Sequence, residues 1–216
     1  MRDVFVGQLE KLNQEMIEMG DFCEKAIKEA SRSLLEGDAD LAKKVLEYEA
    51  ALDEREYLIE ALCTRLLLLQ QPVASDLRII TTSSKMLSNL TRIGMQAVDI
   101  CETMLRKEIN QKPVALDYFA ELSEAVGKMC HDVMMAFATR DVDLARKVID
   151  YDEVVDEYFY KTKHNIAGLF KTSESREETD YALDLLMIDK YYERMGDHAV
   201  KIAQQVVYAF SDKINK

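Results

Sequence analysis

The sequence is poor in the residues that interrupt helices: its 216 residues include seven glycines, two prolines and no tryptophan. In a helix interior, glycine costs about 1 kcal/mol and proline about 3 kcal/mol relative to alanine. Leu, Ala, Glu, Lys and Met, which favour helices, are abundant instead. The composition therefore predicts an all-α protein.

Positive charge is also scarce, because 28 Lys and Arg face 40 Asp and Glu, which gives a net charge of −12. A phosphate backbone selects clustered cations and repels an acidic surface, so nucleic acid is excluded as a partner. Direct adhesion to an anionic membrane is disfavoured for the same reason. Docking on the cytoplasmic surface of a membrane protein remains compatible with this charge.

The sequence has no long apolar run, and Leu66 to Leu69 is its longest candidate. A spanning helix needs roughly 18 apolar residues, so no membrane insertion is expected. The start, MRDVFVGQLEKL, carries charges and lacks the apolar stretch of a secretory signal. The four cysteines show no CxxC spacing, which is typical of free thiols in a reducing compartment. We expect a cytoplasmic protein.

Familiar catalytic motifs are missing as well: GxxxxGK[ST], GxGxxG, HExxH and GxSxG do not occur. No His follows a Glu by three residues, which is the pair that di-iron oxidases and ferritins place inside helical bundles. The sequence gives no positive support for an enzyme.

What the chain does have is an internal repeat. DADLAKKVLEYEAALDE at 38–54 aligns without a gap to DVDLARKVIDYDEVVDE at 141–157, and NLTRIGMQA at 89–97 aligns to YYERMGDHA at 191–199. Each copy contains three helical stretches, separated by signals such as Gly37-Asp38 and QQP. We expect helices over about 3–36, 38–71, 72–107, 114–139, 141–170 and 175–210.

Long helices joined by short turns pack antiparallel. The predicted fold is therefore two tandem three-helix bundles, with six long antiparallel helices related by pseudo-twofold symmetry. The boundary between the repeats is predicted at residues 110 and 111, which gives units of 1–110 and 111–216. One apolar face of the second helix in each copy, which includes Val45, Leu52, Val148 and Val155, is predicted to be core. Ser175 and Glu178 form a candidate capping box for the last helix.

Carboxylates recur one helical turn apart at equivalent positions of the two copies. These pairs are Glu49/Asp53 and Asp152/Asp156, and a third pair follows on the last helix, Glu193/Asp197. Like charges at this spacing destabilise a helix by a few tenths of a kcal/mol, and a bound cation reverses that effect. With 40 acidic residues in the chain, a merely solvated acidic face is the competing interpretation.

An all-oxygen donor set favours hard cations such as Mg, Mn, Ca or iron over Zn. Three histidines, His131, His164 and His198, could add a nitrogen ligand. For His198 we favour an ordinary hydrogen-bonding role.

The stretch LLLLQQPVASDLRIITTSSKMLSNLTRIG at 66–94, together with YYERMGDHAVKIA at 191–203, resembles the PhoU family of phosphate-transport regulators. The resemblance covers nearly the whole chain, in motif order. It implies two three-helix bundles, no enzymatic activity, and a cytoplasmic protein that is usually dimeric. It also implies a negative regulator of phosphate uptake and of the phosphate-starvation response. Its implied partners are the ATPase subunit of the phosphate ABC transporter and a sensor histidine kinase.

The resemblance also implies metal ions, among them iron, Mn, Mg or Zn, held as single ions or multinuclear clusters by E/DxxxD motifs. These motifs fall on Glu49, Asp53, Asp152, Asp156, Glu193 and Asp197. The fourth position of the pattern falls on Thr91 and Met95, which cannot replace an anionic ligand. The second repeat is therefore expected to hold its cluster better than the first.

Two other functions remain open from the sequence. One is a carboxylate-bridged helical bundle with redox or metal-storage activity. The other is a purely structural or chaperone-like helical module whose carboxylates are incidental.

Overall fold

The computed structural model describes residues 2–70, 72, 74–106 and 118–211, and every regular element in this part of the chain is an α-helix. The segments in order are α1 (Arg2–Glu36), α2 (Ala39–Leu46), α3 (Tyr48–Gln70), α4 (Ala74–Met104), α5 (Phe119–Thr139), α6 (Val142–Thr172) and α7 (Arg176–Phe210). Because α2 and α3 form one rod, the described chain has six long helices. The all-α prediction is confirmed.

The rod made by α2 and α3 is interrupted at Glu47, where the sequence predicted a continuous helix. The backbone N–H of Glu47 donates to the carbonyl of Lys44 at 3.2 Å, which tightens the turn locally. Its φ of −67° and ψ of −13° remain right-handed, so the chain direction is kept. The equivalent helix of the second repeat, α6, has no such interruption.

The helix-to-helix turn is built in the same way in both repeats. Gly37 and Arg140 adopt left-handed conformations, with φ of 71° and 58°. The next residues, Asp38 and Asp141, cap the following helices, and each side chain accepts hydrogen bonds from the backbone two and three residues ahead. Asp38 and Asp141 also donate their own N–H to carbonyls five residues back, at 2.9 Å each. The predicted cap at Gly37-Asp38 is confirmed, and the second copy reproduces it.

The last helix, α7, begins with a variant of the predicted capping box. Ser175 Oγ accepts a hydrogen bond from the Glu178 N–H at 3.2 Å. The Glu178 carboxylate accepts from the Glu174 N–H at 2.7 Å, one residue before the usual partner. Both exposed donors are satisfied, so the cap serves its predicted purpose.

The six long helices form two three-helix bundles that share one hydrophobic core. α1 and the α2–α3 rod pack with α4, while α5, α6 and α7 pack together. α4 also packs along α7, and α1 packs along α5, so the buried apolar residues form one continuous cluster. The bonds from Asn89 to His198 and from Arg106 to Asp184 show that α4 and α7 run antiparallel.

The predicted core face agrees with the observed burial. Val45, Leu52, Val148 and Val155 are each at most 2% exposed. All four cysteines are buried and free, and burial is the main cause of the raised pKa values of their thiols. These thiols are therefore poor nucleophiles at neutral pH.

The junction between the repeats falls partly outside the described residues. α4 ends at Met104 and α5 begins at Phe119. The predicted boundary at residues 110 and 111 lies outside the described part, as do the predicted end near Lys107 and the start near residue 114. None of the helices in the described ranges is long and apolar enough to cross a membrane.

Candidate metal centre

The carboxylates of the second repeat lie on α6 and α7, which approach each other closely at Gly196. Gly196 lies at this contact: a Cβ added there would be 3.2 Å from Val155 Cγ1 and 3.3 Å from Asp152 Oδ1. The missing side chain therefore leaves the space into which the Asp152 carboxylate folds. Glycine costs about 1 kcal/mol in a helix relative to alanine. The close approach of α6 explains why this helix has a glycine here.

The electrostatics of Asp152 link it to the other three predicted ligands of this repeat. The pKa of Asp152 is raised to about 6, first by burial and then by Asp156, Asp197 and Glu193. Two of these three neighbours belong to α7, so the repulsion acts across the helix contact. Asp152 on α6 is therefore close enough to Glu193 and Asp197 on α7 to feel their charge.

The four side chains differ in their access to solvent. Asp156 and Asp197 are exposed, whereas Asp152 is half-buried. The Glu193 side chain is 17% exposed, and its Oε2 lies 2.6 Å from Lys190 Nζ. That contact is an ion pair without hydrogen-bond geometry. The centre is a half-open carboxylate face that an ion can reach from solvent.

Another carboxylate, Asp189, lies one turn before Glu193 and is fully buried. Neither of its oxygens has a hydrogen-bond partner in the described structure. Burial raises its pKa to about 8; Lys163 opposes the shift, Glu193 adds to it and Lys190 opposes it. The sequence analysis missed Asp189, although Asp189, Glu193 and Asp197 share one helix face at steps of four.

The first repeat is arranged differently. Glu49 and Asp53 are exposed on α3, and across from them Thr91 is buried and donates its hydroxyl to the carbonyl of Leu87 at 3.2 Å. Met95 is half-buried and packs against the core. The structure therefore leaves this pair without the partner pair that the second repeat has.

One acidic residue of α4, Asp99, lies one turn beyond Met95 and feels the charge of Glu49. Burial raises the pKa of Asp99, followed by Glu102 and Glu49, while Arg194 opposes the shift. The repeat alignment offered no signal for it, because the aligned position in the second copy is Lys201.

Two of the three histidines contact residues outside the predicted ligand set. His198 Nδ1 lies 2.9 Å from Asn89 Oδ1 across the contact of α4 and α7, which agrees with the hydrogen-bonding role favoured from the sequence. Burial, followed by Lys201, lowers the pKa of His198. His131 Nδ1 lies 3.0 Å from Glu24 Oε2.

In the described ranges, no three His, Cys, Asp or Glu side chains already converge in a metal-binding arrangement. A cation at the second repeat would therefore draw the carboxylates inward by side-chain rotation. The donor set is all oxygen and suits hard cations. The role of the six carboxylates as ligands stays a prediction.

The predicted ligands lie within two matches to one family model. The model, described as PhoU domain, matches residues 16–104 and again residues 119–206. The chain belongs to the PhoU family. The resemblance seen in the sequence motifs is confirmed by this finding.

Curated PhoU relatives match over nearly the whole chain. A protein of Pseudomonas putida named phosphate-specific transport system accessory protein PhoU homolog is 32% identical over 205 residues, 94% of this chain and 79% of the relative. The Escherichia coli K12 phosphate-specific transport system accessory protein PhoU is 30% identical over 204 residues, 94% of this chain and 84% of the relative.

Solved PhoU structures share the fold. PhoU from Pseudomonas aeruginosa superposes with a TM-score of 0.86 at 30% identity, covering 95% of this chain and 98% of that one. The phosphate transport system regulatory protein PhoU from Streptococcus pneumoniae gives a TM-score of 0.87 at 26% identity, covering 96% and 97%. The predicted PhoU-like fold of two tandem bundles is confirmed.

Each PhoU match contains one set of the predicted ligands. Glu49 and Asp53 fall in the first match, and the four carboxylates of α6 and α7 fall in the second. The two PhoU repeats of this chain thus share a scaffold and differ in their charge.

Proposed function

We propose that this chain is a non-enzymatic regulator of phosphate uptake and of the phosphate-starvation response. The observation that carries the proposal is the double PhoU match, together with relatives over 94% of the chain that are named accessory proteins of phosphate-specific transport. The chain's own sequence adds support, because it lacks the Glu-x-x-His pair of carboxylate oxidases.

In this proposal the protein is an adaptor between the ATPase subunit of the phosphate ABC transporter and a sensor histidine kinase. It represses the response when phosphate is plentiful. Such coupling requires that the adaptor bind one conformer of its partner more tightly than another, since equal affinity would shift no population. We place the adaptor in the cytoplasm as a homodimer that reaches the membrane through its partners.

The second repeat would hold a hard cation or a small cluster through Asp152, Asp156, Glu193 and Asp197. Two observations support the fit: the space beside Gly196 that receives the Asp152 carboxylate, and the raised pKa of Asp152, which comes first from burial and then from three acidic neighbours. A cation bound there would neutralise the repulsion between α6 and α7 and tie the two helices together. Its chemistry would be structural and electrostatic.

The regulatory role is tested by deleting the gene and measuring alkaline phosphatase or transporter expression in high phosphate. We expect derepression, which the wild-type gene restores. Unchanged expression would contradict the regulatory proposal. Turnover in an oxidase assay with added iron would favour the metalloenzyme alternative instead.

The metal proposal is tested by element analysis of the purified protein beside two double variants. We expect Glu193→Ala/Asp197→Ala to lose more metal than Glu49→Ala/Asp53→Ala, because only the second repeat sets two carboxylate pairs against each other. Equal losses would show that the asymmetry is wrong.

A further inference from the structure

A lysine lies at the carboxylate face of the second repeat. Lys190 Nζ is 2.6 Å from Glu193 Oε2, and the two side chains are 39% and 17% exposed. The same ammonium group lies 5.4 Å from the centre of the Phe159 ring on α6. A contact with an aromatic face and a partly buried carboxylate restrains the lysine at the contact of α6 and α7.

Among the described residues, Lys190 is the only Lys or Arg that forms an ion pair with any of the six predicted ligands. The face still carries excess negative charge: after burial, Asp156, Asp197 and Glu193 raise the pKa of Asp152, and of these residues only Glu193 pairs with a Lys or Arg in the described structure. One ammonium group therefore compensates only part of the charge.

The first repeat offers an internal comparison. Ser88 aligns with Lys190, while Thr91 and Met95 align with the two predicted ligands of α7. The copy that lacks the α7-type carboxylates also lacks the lysine. Had Lys190 served only to pack the helix, it would have no reason to vary with these acids.

We propose that Lys190 is the resident counter-ion of this carboxylate face, which a metal cation must displace from Glu193 in order to bind. The inference rests on the proposed metal site. An ammonium group 2.6 Å from Glu193 Oε2 disfavours a cation on the same carboxylate, because like charges repel at that distance. Lys190 therefore lowers the affinity of the site and delays its loading until the metal concentration is high enough to compete.

The test is a Mn²⁺ titration of the purified full chain, with free Mn²⁺ followed by electron paramagnetic resonance. Lys190→Met should bind Mn²⁺ about threefold to tenfold more tightly than wild type, the range expected when a partly exposed ion pair no longer competes. Lys190→Arg keeps the positive charge, so its Mn²⁺ affinity should stay close to that of wild type.

Lys163→Met is the matched control. Lys163 lies 5.7 Å from the centre of the same Phe159 ring and influences Asp189, but it does not pair with a predicted ligand. Its loss removes the same charge from the same neighbourhood, so equal tightening in Lys163→Met would overturn the proposal in favour of a general charge effect.

Thermal unfolding supplies a second readout. Without metal, Lys190→Met should unfold at a lower temperature than wild type, because Glu193 loses its counter-ion. Saturating Mn²⁺ should raise the melting temperature of Lys190→Met by more than it raises that of wild type. Equal Mn²⁺ affinity in wild type and Lys190→Met would overturn this inference alone. If neither wild type nor any variant binds Mn²⁺, the proposed metal site is overturned together with the role of Lys190. The gene-deletion experiment would still test the regulatory role independently.

Discussion

Replacing Asp189 with leucine should stabilise the protein, although it changes a residue beside the candidate metal centre. Asp189 is fully buried in α7, and both carboxyl oxygens lack hydrogen-bond partners in the described structure. Its pKa is raised from 3.8 to about 8, so the folded protein holds it largely protonated at pH 7. The aligned residue of the first repeat is Leu87, which is buried in the core.

The magnitude follows from the two protonation states. At pH 7 the unfolded chain has an ionised Asp189, and folding must protonate it or bury its charge. Each pKa unit corresponds to about 1.4 kcal/mol, so removing this cost should raise the free energy of unfolding by about 2–4 kcal/mol. For a chain of this size that corresponds to a melting temperature roughly 5–15 °C higher.

The direction of the Asp189 pKa shift determines how stability changes with pH. Because the folded pKa of Asp189 lies above its unfolded value, the stability linked to its protonation is full below about pH 4 and is lost as pH rises through about 8. Asp189→Leu removes this term, so its advantage over wild type should grow between pH 5 and pH 8. Asp189→Asn should flatten the dependence of stability on pH equally. Its gain in unfolding free energy at pH 7 should be smaller than that of Asp189→Leu, because a buried amide also lacks partners.

Urea denaturation of metal-free protein at several pH values measures both effects. Asp184→Leu is the control: Asp184 is also a buried acid of α7, yet Arg106 Nη1 donates to it at 2.7 Å. Losing that pair should cost about 1 kcal/mol. If Asp189→Leu destabilises the protein, or keeps the wild-type pH profile, the reasoning that Asp189 is an uncompensated buried acid is refuted.

Three further predictions use the same denaturation assay. Gly94→Ala should lose about 1 kcal/mol or more, since its Cβ would lie 2.6 Å from Leu52 Cδ2, and overpacking outweighs the gain in helix propensity; a gain in stability would contradict this. Asp152→Asn should add about 1 kcal/mol at pH 7 in metal-free protein, and the gain should vanish below pH 4, where folded and unfolded Asp152 are both protonated. Asp38→Ala should cost about 1 kcal/mol through the lost cap of α2, and an unchanged midpoint would show that the cap is dispensable.

Local features of the fold could be predicted because they depend on residues close in sequence. Scarce glycine and proline indicated helices, and Gly37-Asp38 indicated the turn that the structure forms. The interruption at Glu47 was not predicted, because the apolar pattern continues through it without a breaker residue.

The candidate site was predictable only in part. The spacing of four placed Glu193 and Asp197 on one helix face, and the repeat singled out Asp152 and Asp156 as the counterparts of Glu49 and Asp53. The burial of Asp189 was not predictable, because its sequence neighbours Lys190 and Tyr191 do not reveal how deeply this turn of α7 lies.

The sequence by itself determined the helices, their caps, the twofold repeat and the pairing of acids along each helix, because helical periodicity is a local property of the backbone. Only the tertiary structure decided that Asp152 feels the charge of Glu193 and Asp197 across the contact of α6 and α7, that Asp99 feels that of Glu49, and that Lys190 pairs with Glu193. These contacts depend on the register and depth at which helices pack. That packing is set by the shape of the shared core and by close approaches such as the one at Gly196.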